Sequence, residues 1–370
     1  MVLGLLPAIR GGLGDLAGTG QHTRLIRGYL TPYARAFDEV RYFSYLDESL
    51  AQYTDDRALL ERVRVLPGGR LHPWLQSGFL PFTQAGALRG CAVLRAFQVT
   101  GSLPAVVARR RWGVPFVTTY GFWYARLARS RSRSWLHRVL ERLALDTADA
   151  VIVTTPELGV HVARRVAADR VHLIPNGVDT VLFTPSPARA GHPRILYVGR
   201  LSAEKDLGTL VEAAAKLARL DVRLVLVGAG PARAALEAAA RARQVPLEVA
   251  PVVPHDQIPA WLAGAAAFVL PSLTEGHPKA LLEAMSAAVP CVASDVGGNR
   301  AILRDGETGL LFPPGDANAL AAALERVLTD ETLAARLAGS AREQVVRSYD
   351  LGVLVRREID LLRRVAGSRR

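Results

Sequence analysis

Phe268-Val269-Leu270-Pro271-Ser272-Leu273-Thr274-Glu275-Gly276-His277-Pro278-Lys279-Ala280-Leu281-Leu282-Glu283 decides how this chain folds. Its apolar opening stops at Pro271-Ser272 and reads as a buried strand. Pro278 suits the first turn of a helix, where its missing N–H had no partner anyway. Leu281, Leu282, Ala284, Met285 and Ala288 continue that helix, so Glu275 sits on the strand-to-helix loop and Glu283 projects from the helix. Free N–H groups at a helix start favour anionic ligands. An acid placed beside them points to a hydroxyl-rich partner or a nearby positive charge. The plainer reading is an α/β crossover with a surface glutamate and a Lys279–Glu283 pair one turn apart.

Outward from that stretch the alternation repeats. Val2–Ile9, Val40–Tyr45, Val63–Leu66, Ala92–Phe97, Pro115–Tyr120 and Ala150–Thr154 read as strands, and Ser102–Trp112, Ser134–Leu145 and Pro156–Val166 as helices. Beyond Val171–Pro175, an Asn176-Gly177 turn opens a polar, proline-bearing stretch, which places a linker near Leu182–Pro193. Ile195–Gly199, Val222–Gly228 and Leu247–Val253 are expected strands of a second half, with helices over Leu207–Arg219 and Ala232–Ala242. Ala317–Leu328, Leu333–Ser348 and Leu351–Val365 close the chain as helices. Repeated βα units imply parallel sheets covered on both faces, and 370 residues suffice for two domains. Gln76–Leu88 has no clear pattern.

Composition narrows the partners. The net charge is +12, and the excess sits early: 23 basic against 14 acidic residues through Thr180, then 23 against 20. An anionic partner for the first half follows, such as a phosphorylated acceptor or a membrane surface. No recognition-helix, zinc or aromatic RNA-binding pattern supports nucleic acid. No apolar run has the length of a membrane span, and Val2–Ile9 reads as a strand rather than a signal peptide. Cys91 and Cys291 suit a reducing cytoplasm and a place in the core. Only three lysines, Lys205, Lys216 and Lys279, occur among 46 basic residues.

Gly199-Arg200-Leu201-Ser202-Ala203-Glu204-Lys205-Asp206 joins a strand end to a helix start. Two cations there can converge on one small anion, the arginine gripping two oxygens and the lysine adding a point charge. The alternative pairs Lys205 with Glu204 or Asp206. Near the start, Gly11, Gly12, Gly14, Gly18 and Gly20 precede a helix beginning near Gln21, the layout of a phosphate cradle or of a flexible loop. Gly228-Ala229-Gly230 lacks the full dinucleotide fingerprint and reads as a tight turn.

Two glutamates separated by seven residues, then an apolar helix, then Pro290–Gly298, resemble the donor-binding signature of the retaining family 4 glycosyltransferases, the glycosyl transferases group 1. The likeness is strongest from Val171 to Asp316. It implies the α/β GT-B fold, two Rossmann-like βαβ domains facing a central cleft. An acceptor-side domain at 1–182 and a nucleotide-sugar domain at 183–350 are expected, with a helix at 351–370 returning to the first. By resemblance Arg200 and Lys205 hold the donor diphosphate, Glu275 the sugar hydroxyls and Glu283 the ribose. The backbone of Gly276, His277, Pro278 and Lys279 faces sugar and diphosphate. His277 either bonds the sugar or caps the helix, and Lys279 either meets phosphate or pairs with Glu283. Val253 and its neighbours hold the base, although Pro251 stands where glycine is usual. Gly12 and Gly20 both fit the family's diphosphate glycine. His22 and Tyr120 are acceptor-side candidates, or core residues; many members have His-Gly where Tyr120-Gly121 stands. Ala301 replaces a commonly acidic residue.

The resemblance therefore implies transfer of a sugar from a nucleotide-diphosphate sugar to a hydroxyl with retention, in envelope polysaccharide or glycolipid synthesis. No cofactor and no metal are expected. Partners are the nucleotide sugar, a glycan or lipid-linked acceptor and an anionic membrane surface met by an exposed loop and helix at Arg126–Arg142, giving a cytoplasmic, peripheral enzyme. A nucleotide-sugar epimerase of GT-B fold, and a non-catalytic GT-B nucleotide-binding partner protein, are the alternatives.

Overall fold

The computed structural model describes residues 1–9, 11–68, 73–121, 131–186 and 193–367. Two compact units divide the chain, Met1–Pro175 with Val353–Arg370 and Asn176–Gly352. The division precedes the expected linker because Val178 and Phe183 are already buried in the second unit's core.

In the first unit β1 (Val2–Leu6), β2 (Glu39–Phe43), β3 (Val63–Leu66), β4 (Val93–Ala96), β5 (Phe116–Tyr120), β6 (Ala150–Val153) and β7 (Val171–Leu173) form a parallel sheet. Its order is β3-β2-β1-β4-β5-β6-β7. The second unit's sheet uses β8 (Arg194–Val198), β9 (Arg223–Val227), β10 (Leu247–Ala250), β11 (Ala265–Leu270), β12 (Cys291–Ser294) and β13 (Leu310–Phe312), ordered β10-β9-β8-β11-β12-β13 and again parallel. Both orders reverse direction once, beside the first strand of each sheet. That reversal opens a crevice at the carboxyl ends of the two strands flanking it, where ligands of such sheets bind. In the second unit those strands are β8 and β11.

Local chemistry agrees with this layout. The central strand β11 is apolar throughout, as a strand covered on both faces is expected to be: Phe268, Val269 and Leu270 are all buried. Asp316 and Asp330 cap the helices Ala317–Thr329 and Glu331–Ser348 by accepting from backbone N–H groups, a contribution of about 1 kcal/mol each. Cys91 and Cys291 are both buried free thiols.

The helix Leu351–Gly367 starts in the second unit and belongs to the first from Val353 onward. Leu354, Val355, Ile359 and Leu362 form its buried face, and Glu358 lies buried among them. Its carboxylate accepts from Arg95 Nε at 2.5 Å and from the Tyr33 hydroxyl. Arg95 also donates to Thr119 Oγ1 at 2.7 Å.

Two segments differ from their sequence reading. Gln76–Leu88 is helical, over Pro73–Thr83 and Ala85–Arg89. Arg131–Arg133, expected as loop, lies inside the helix Arg131–Thr147; arginine is a good helix former. Residues 122–130, with Arg126 and Arg129, lie outside the described residues, as do the side chains of residues 131–134. Among the described residues no helix is long and apolar enough to cross a membrane.

Candidate functional site

The carboxyl ends of β8 and β11 carry the second unit's charged loops. After β8 the backbone passes Gly199 and Arg200 to Lys205, and after β11 it passes Pro271 and Ser272 to Glu275. The two loops are joined: Leu273 N donates to Glu204 O at 2.9 Å, and Lys205 Nζ forms an ion pair with Glu275 Oε1. Their side chains are only 16% and 9% exposed, which removes most solvent screening. Glu204 pairs with Arg200 at 3.1 Å rather than with Lys205, and Arg200 remains 73% exposed. Both cations are thus held at carboxylates, Lys205 in a buried pair and Arg200 in an exposed one.

A row of buried polar groups supports Glu275 from beneath. Ser272 Oγ donates to Glu275 Oε1 at 2.7 Å. Ser294 Oγ, at the end of β12, donates to Ser272 O at 2.5 Å, and Asn299 Nδ2 donates to Ser294 O at 2.9 Å. All three side chains belong to buried residues, so their bonds fix the loop in a low dielectric, where each counts for more. Gly298 completes the arrangement: a Cβ there would lie 2.5 Å from both Glu275 O and Gly276 O. The Arg200 loop is braced in a similar way. Gly230 lies against Leu201 O, which a Cβ would meet at 2.1 Å, and Leu201 N donates to Ala229 O at 2.9 Å. The expected tight turn at Gly228–Gly230 is therefore the shelf for the cationic loop.

His277 is buried, its ring tilted against Tyr349 at 5.6 Å, and its Nδ1 has no partner. Burial, with Lys279 adding repulsion, pushes its pKa down to about 3, so the ring is neutral. His277 does not cap the helix. The cap position falls to Pro278, whose φ of −72° and ψ of 117° are non-helical, and Lys279–Ser286 begins with no side-chain cap. The cap residue thus contributes no side chain to the first-turn N–H groups. Asn176 Nδ2 holds His277 O at 2.8 Å.

Glu283 is buried on that helix, with His255 Nε2 donating to its Oε1 at 2.9 Å. Phe183 packs on the His255 ring at 5.0 Å. Lys279 is exposed, and Val253 is half-buried on the loop following β10.

The first-unit candidates stand apart from one another in character. Gly12 precedes the helix Leu13–Gly18, whose Leu13 and Gly14 N–H groups both donate to the buried Glu48 carboxylate at 2.8 Å. Gly20 is buried with φ +71°, a left-handed conformation suited to glycine. His22 opens the helix His22–Leu25, and its Nδ1 is buried without a partner. Tyr120 is 1% exposed, its hydroxyl donating to Glu141 Oε1 at 3.2 Å and its ring stacked on His161. That placement braces β5 against its neighbours. Among the described residues no group of three His, Cys, Asp or Glu side chains is placed to hold a metal ion.

Sequence reasoning missed Ser272, Ser294, Asn299, His255 and Glu48 as supporting residues. The first two carried a signal, since both stand at carboxyl ends of strands where ligands of parallel sheets collect.

Residues 25–182 match the family described as Glycosyltransferase Family 4, and residues 180–344 match Glycosyl transferases group 1. The chain belongs to the family 4 glycosyltransferases. Alpha-maltose-1-phosphate synthase of Mycolicibacterium smegmatis is 32% identical over 262 residues, 63% of this chain and 66% of that one. The chain thus spans just under two thirds of that relative's length. Sucrose-phosphate synthase from Thermosynechococcus elongatus superposes with a TM-score of 0.84 at 24% identity, covering 100% of both chains. The HepE protein of Anabaena, solved in complex with UDP-glucose, gives 0.79 at 19% identity over 98% of each chain. At those identities the structures establish the fold, which is GT-B.

Proposed function

We propose that this family 4 glycosyltransferase moves a sugar from a nucleotide-diphosphate sugar to an acceptor hydroxyl and keeps the anomeric configuration. The observation that carries the reading is the meeting of Lys205 and Glu275 at the carboxyl ends of β8 and β11. As the anomeric C–O bond breaks, negative charge gathers on the departing diphosphate. Lys205, Arg200 and the uncapped N–H groups of Lys279–Ser286 are the groups to receive it. Donor entry exchanges partners: Lys205 turns to phosphate, and Glu275 accepts from sugar hydroxyls. Glu283 accepts from the ribose diol, with the backbone of Gly276 and His277 against the sugar and Val253 beside the base. The acceptor hydroxyl attacks from the face the diphosphate leaves, and its proton passes to a diphosphate oxygen.

On the first unit, the amides after Gly12 are already engaged by Glu48, which favours Gly20 as the glycine facing the diphosphate. His22, with its partnerless Nδ1, is a stronger acceptor-side candidate than the buried Tyr120. The basic excess through Thr180 suits an anionic acceptor, a glycan or lipid-linked sugar of envelope polysaccharide or glycolipid synthesis, handled by a cytoplasmic enzyme at an anionic inner leaflet. The Arg126–Arg142 stretch supplies six of the arginines in that excess.

A thermal-shift screen against UDP-, GDP-, ADP- and dTDP-sugars tests the donor class, because a ligand of the folded state raises Tm. One donor family is expected to stabilise the protein, with and without a chelator, and NMR of the product to show the donor's anomeric configuration. No stabilisation by any of them, or an inverted product, would sink the reading.

A further inference from the structure

The helix Pro73–Thr83 carries an apolar stripe on its exposed face. Leu75, Phe79 and Phe82 follow one another at helical spacing along one stripe, and they are 54%, 51% and 62% exposed. Gln76 and Ser77 on its other side are 6% and 1% exposed. Leu80 and Pro81 are buried as well, Leu80 in the first unit's core, so the stripe is additional to the face by which the helix packs. Large aromatic side chains left in water along one face mark a surface with something to cover it.

The charge of this part of the chain points to the cover. From Arg62 to Leu140 the sequence contains thirteen arginines and not one aspartate or glutamate; of these, Arg95 and Arg109 form ion pairs with acids from elsewhere, Glu358 and Asp149. Four residues beyond Phe82, Gly86 begins a hollow of about 700 Å³ lined by Gly86, Arg89, Gly90, Arg111 and Trp112. Arg89 and Arg111 are exposed, and among the described residues neither has a carboxylate partner. The indole of Trp112 stands beside them, half-buried. Two guanidinium groups can take the oxygens of one phosphate, and an indole suits the boundary between polar headgroups and hydrocarbon. A second copy of so basic a face would be repelled, whereas an anionic leaflet offers phosphate to the arginines and acyl chains to the phenylalanines.

We propose that the Leu75–Phe79–Phe82 stripe and the Arg89–Arg111 hollow form the surface by which this protein lies on an anionic lipid leaflet. The inference deepens the membrane reading above and rests on it only for the class of partner. It assigns the contact to a surface other than the Arg126–Arg142 stretch.

Co-sedimentation with phosphatidylcholine vesicles, with and without phosphatidylglycerol, tests it in the absence of donor and acceptor, so that a failure of the transferase reading leaves the outcome unchanged. Wild-type protein is expected to pellet only with phosphatidylglycerol, and less so as salt rises. Phe79→Ser/Phe82→Ser and Arg89→Gln/Arg111→Gln should each weaken binding by about tenfold or more, with Tm and nucleotide release to a water-soluble acceptor unaltered. Wild-type protein that never pellets overturns the proposal. So does wild-type binding by both variants together with loss in Arg129→Ser/Arg131→Ser/Arg133→Ser, which moves the contact to the other stretch. A wild-type dimer that Phe79→Ser/Phe82→Ser converts to monomer in light scattering assigns the stripe to a second copy and also overturns it.

Discussion

Lys205 and Glu275 stand 70 residues apart in the sequence and share one ion pair between the loops that follow β8 and β11. Each therefore holds the other in place. Lys205→Met and Glu275→Ala are each expected to lower kcat by about a hundredfold. The double variant should fall little further, since each single change already strands the remaining partner. Nucleotide release with a matched donor and acceptor measures both; unaltered kcat in either single variant would remove the residue from the chemistry.

Glu283→Ala is expected to act on binding rather than turnover. Loss of a carboxylate that accepts from a diol should raise the nucleotide Kd about tenfold to a hundredfold, the equivalent of about 1.4–3 kcal/mol. His255→Leu removes the N–H that orients this carboxylate and should give a smaller rise in the same direction. Titration calorimetry with the free nucleotide decides it, and wild-type affinity in Glu283→Ala argues against the ribose role.

Gly298→Ala is expected to keep the fold and lose activity. The new methyl meets Glu275 O and Gly276 O at 2.5 Å, so the loop must move, at a cost of about 1–3 kcal/mol. Equal activity in wild type and Gly298→Ala would show that the loop tolerates the displacement.

The strand–helix alternation and the two charged loops were legible in the sequence, because apolar periodicity and glycine or proline punctuation are local signals. Glu358 was not. Its partner Arg95 lies 263 residues away, and nothing near either residue announces a buried ion pair. Glu48 and Leu13, 35 residues apart, are the same case. The Gln76–Leu88 segment lacked a pattern for a physical reason: its buried groups include Gln76 and Ser77, while Phe79 and Phe82 face out. Periodicity finds helices with a single apolar side, and this segment has apolar residues both inside, at Leu80 and Leu88, and outside.

Arg95 and Glu358 are both nearly inaccessible to water, at 4% and 6% side-chain exposure. Glu358→Leu should destabilise the protein by about 3–5 kcal/mol by leaving a buried guanidinium unpaired, whereas Arg95→Met/Glu358→Leu should recover most of that loss. Urea unfolding midpoints test the pair. A double variant as unstable as the single would mean that Tyr33 and Thr119 depend on the charges themselves.

His277 gives the protein a pH dependence of definite sign. Its folded pKa of about 3 lies below the ordinary histidine value of 6.5, so between those values the unfolded chain binds the extra proton. Stability is fully present above about pH 6.5 and falls below it by about 1.4 kcal/mol per pH unit from this group. His277→Gln should lose less stability than wild type between pH 7 and pH 5, as read from urea midpoints. Parallel losses in the two proteins would show that His277 stays accessible to protons in the folded state.

The helix Leu351–Gly367 also bears on how the protein is made. During synthesis the strands of the first sheet leave the ribosome early, yet Arg95 has no acid to meet until Glu358 has been translated. At translation rates of about 5–20 residues per second, that interval is on the order of ten seconds or more. The second unit is contiguous and can close its own core within that time. The nascent first unit must wait with a seam open along the surface that Leu354, Val355, Ile359 and Leu362 later cover, so the half that begins the chain is the half that finishes folding last.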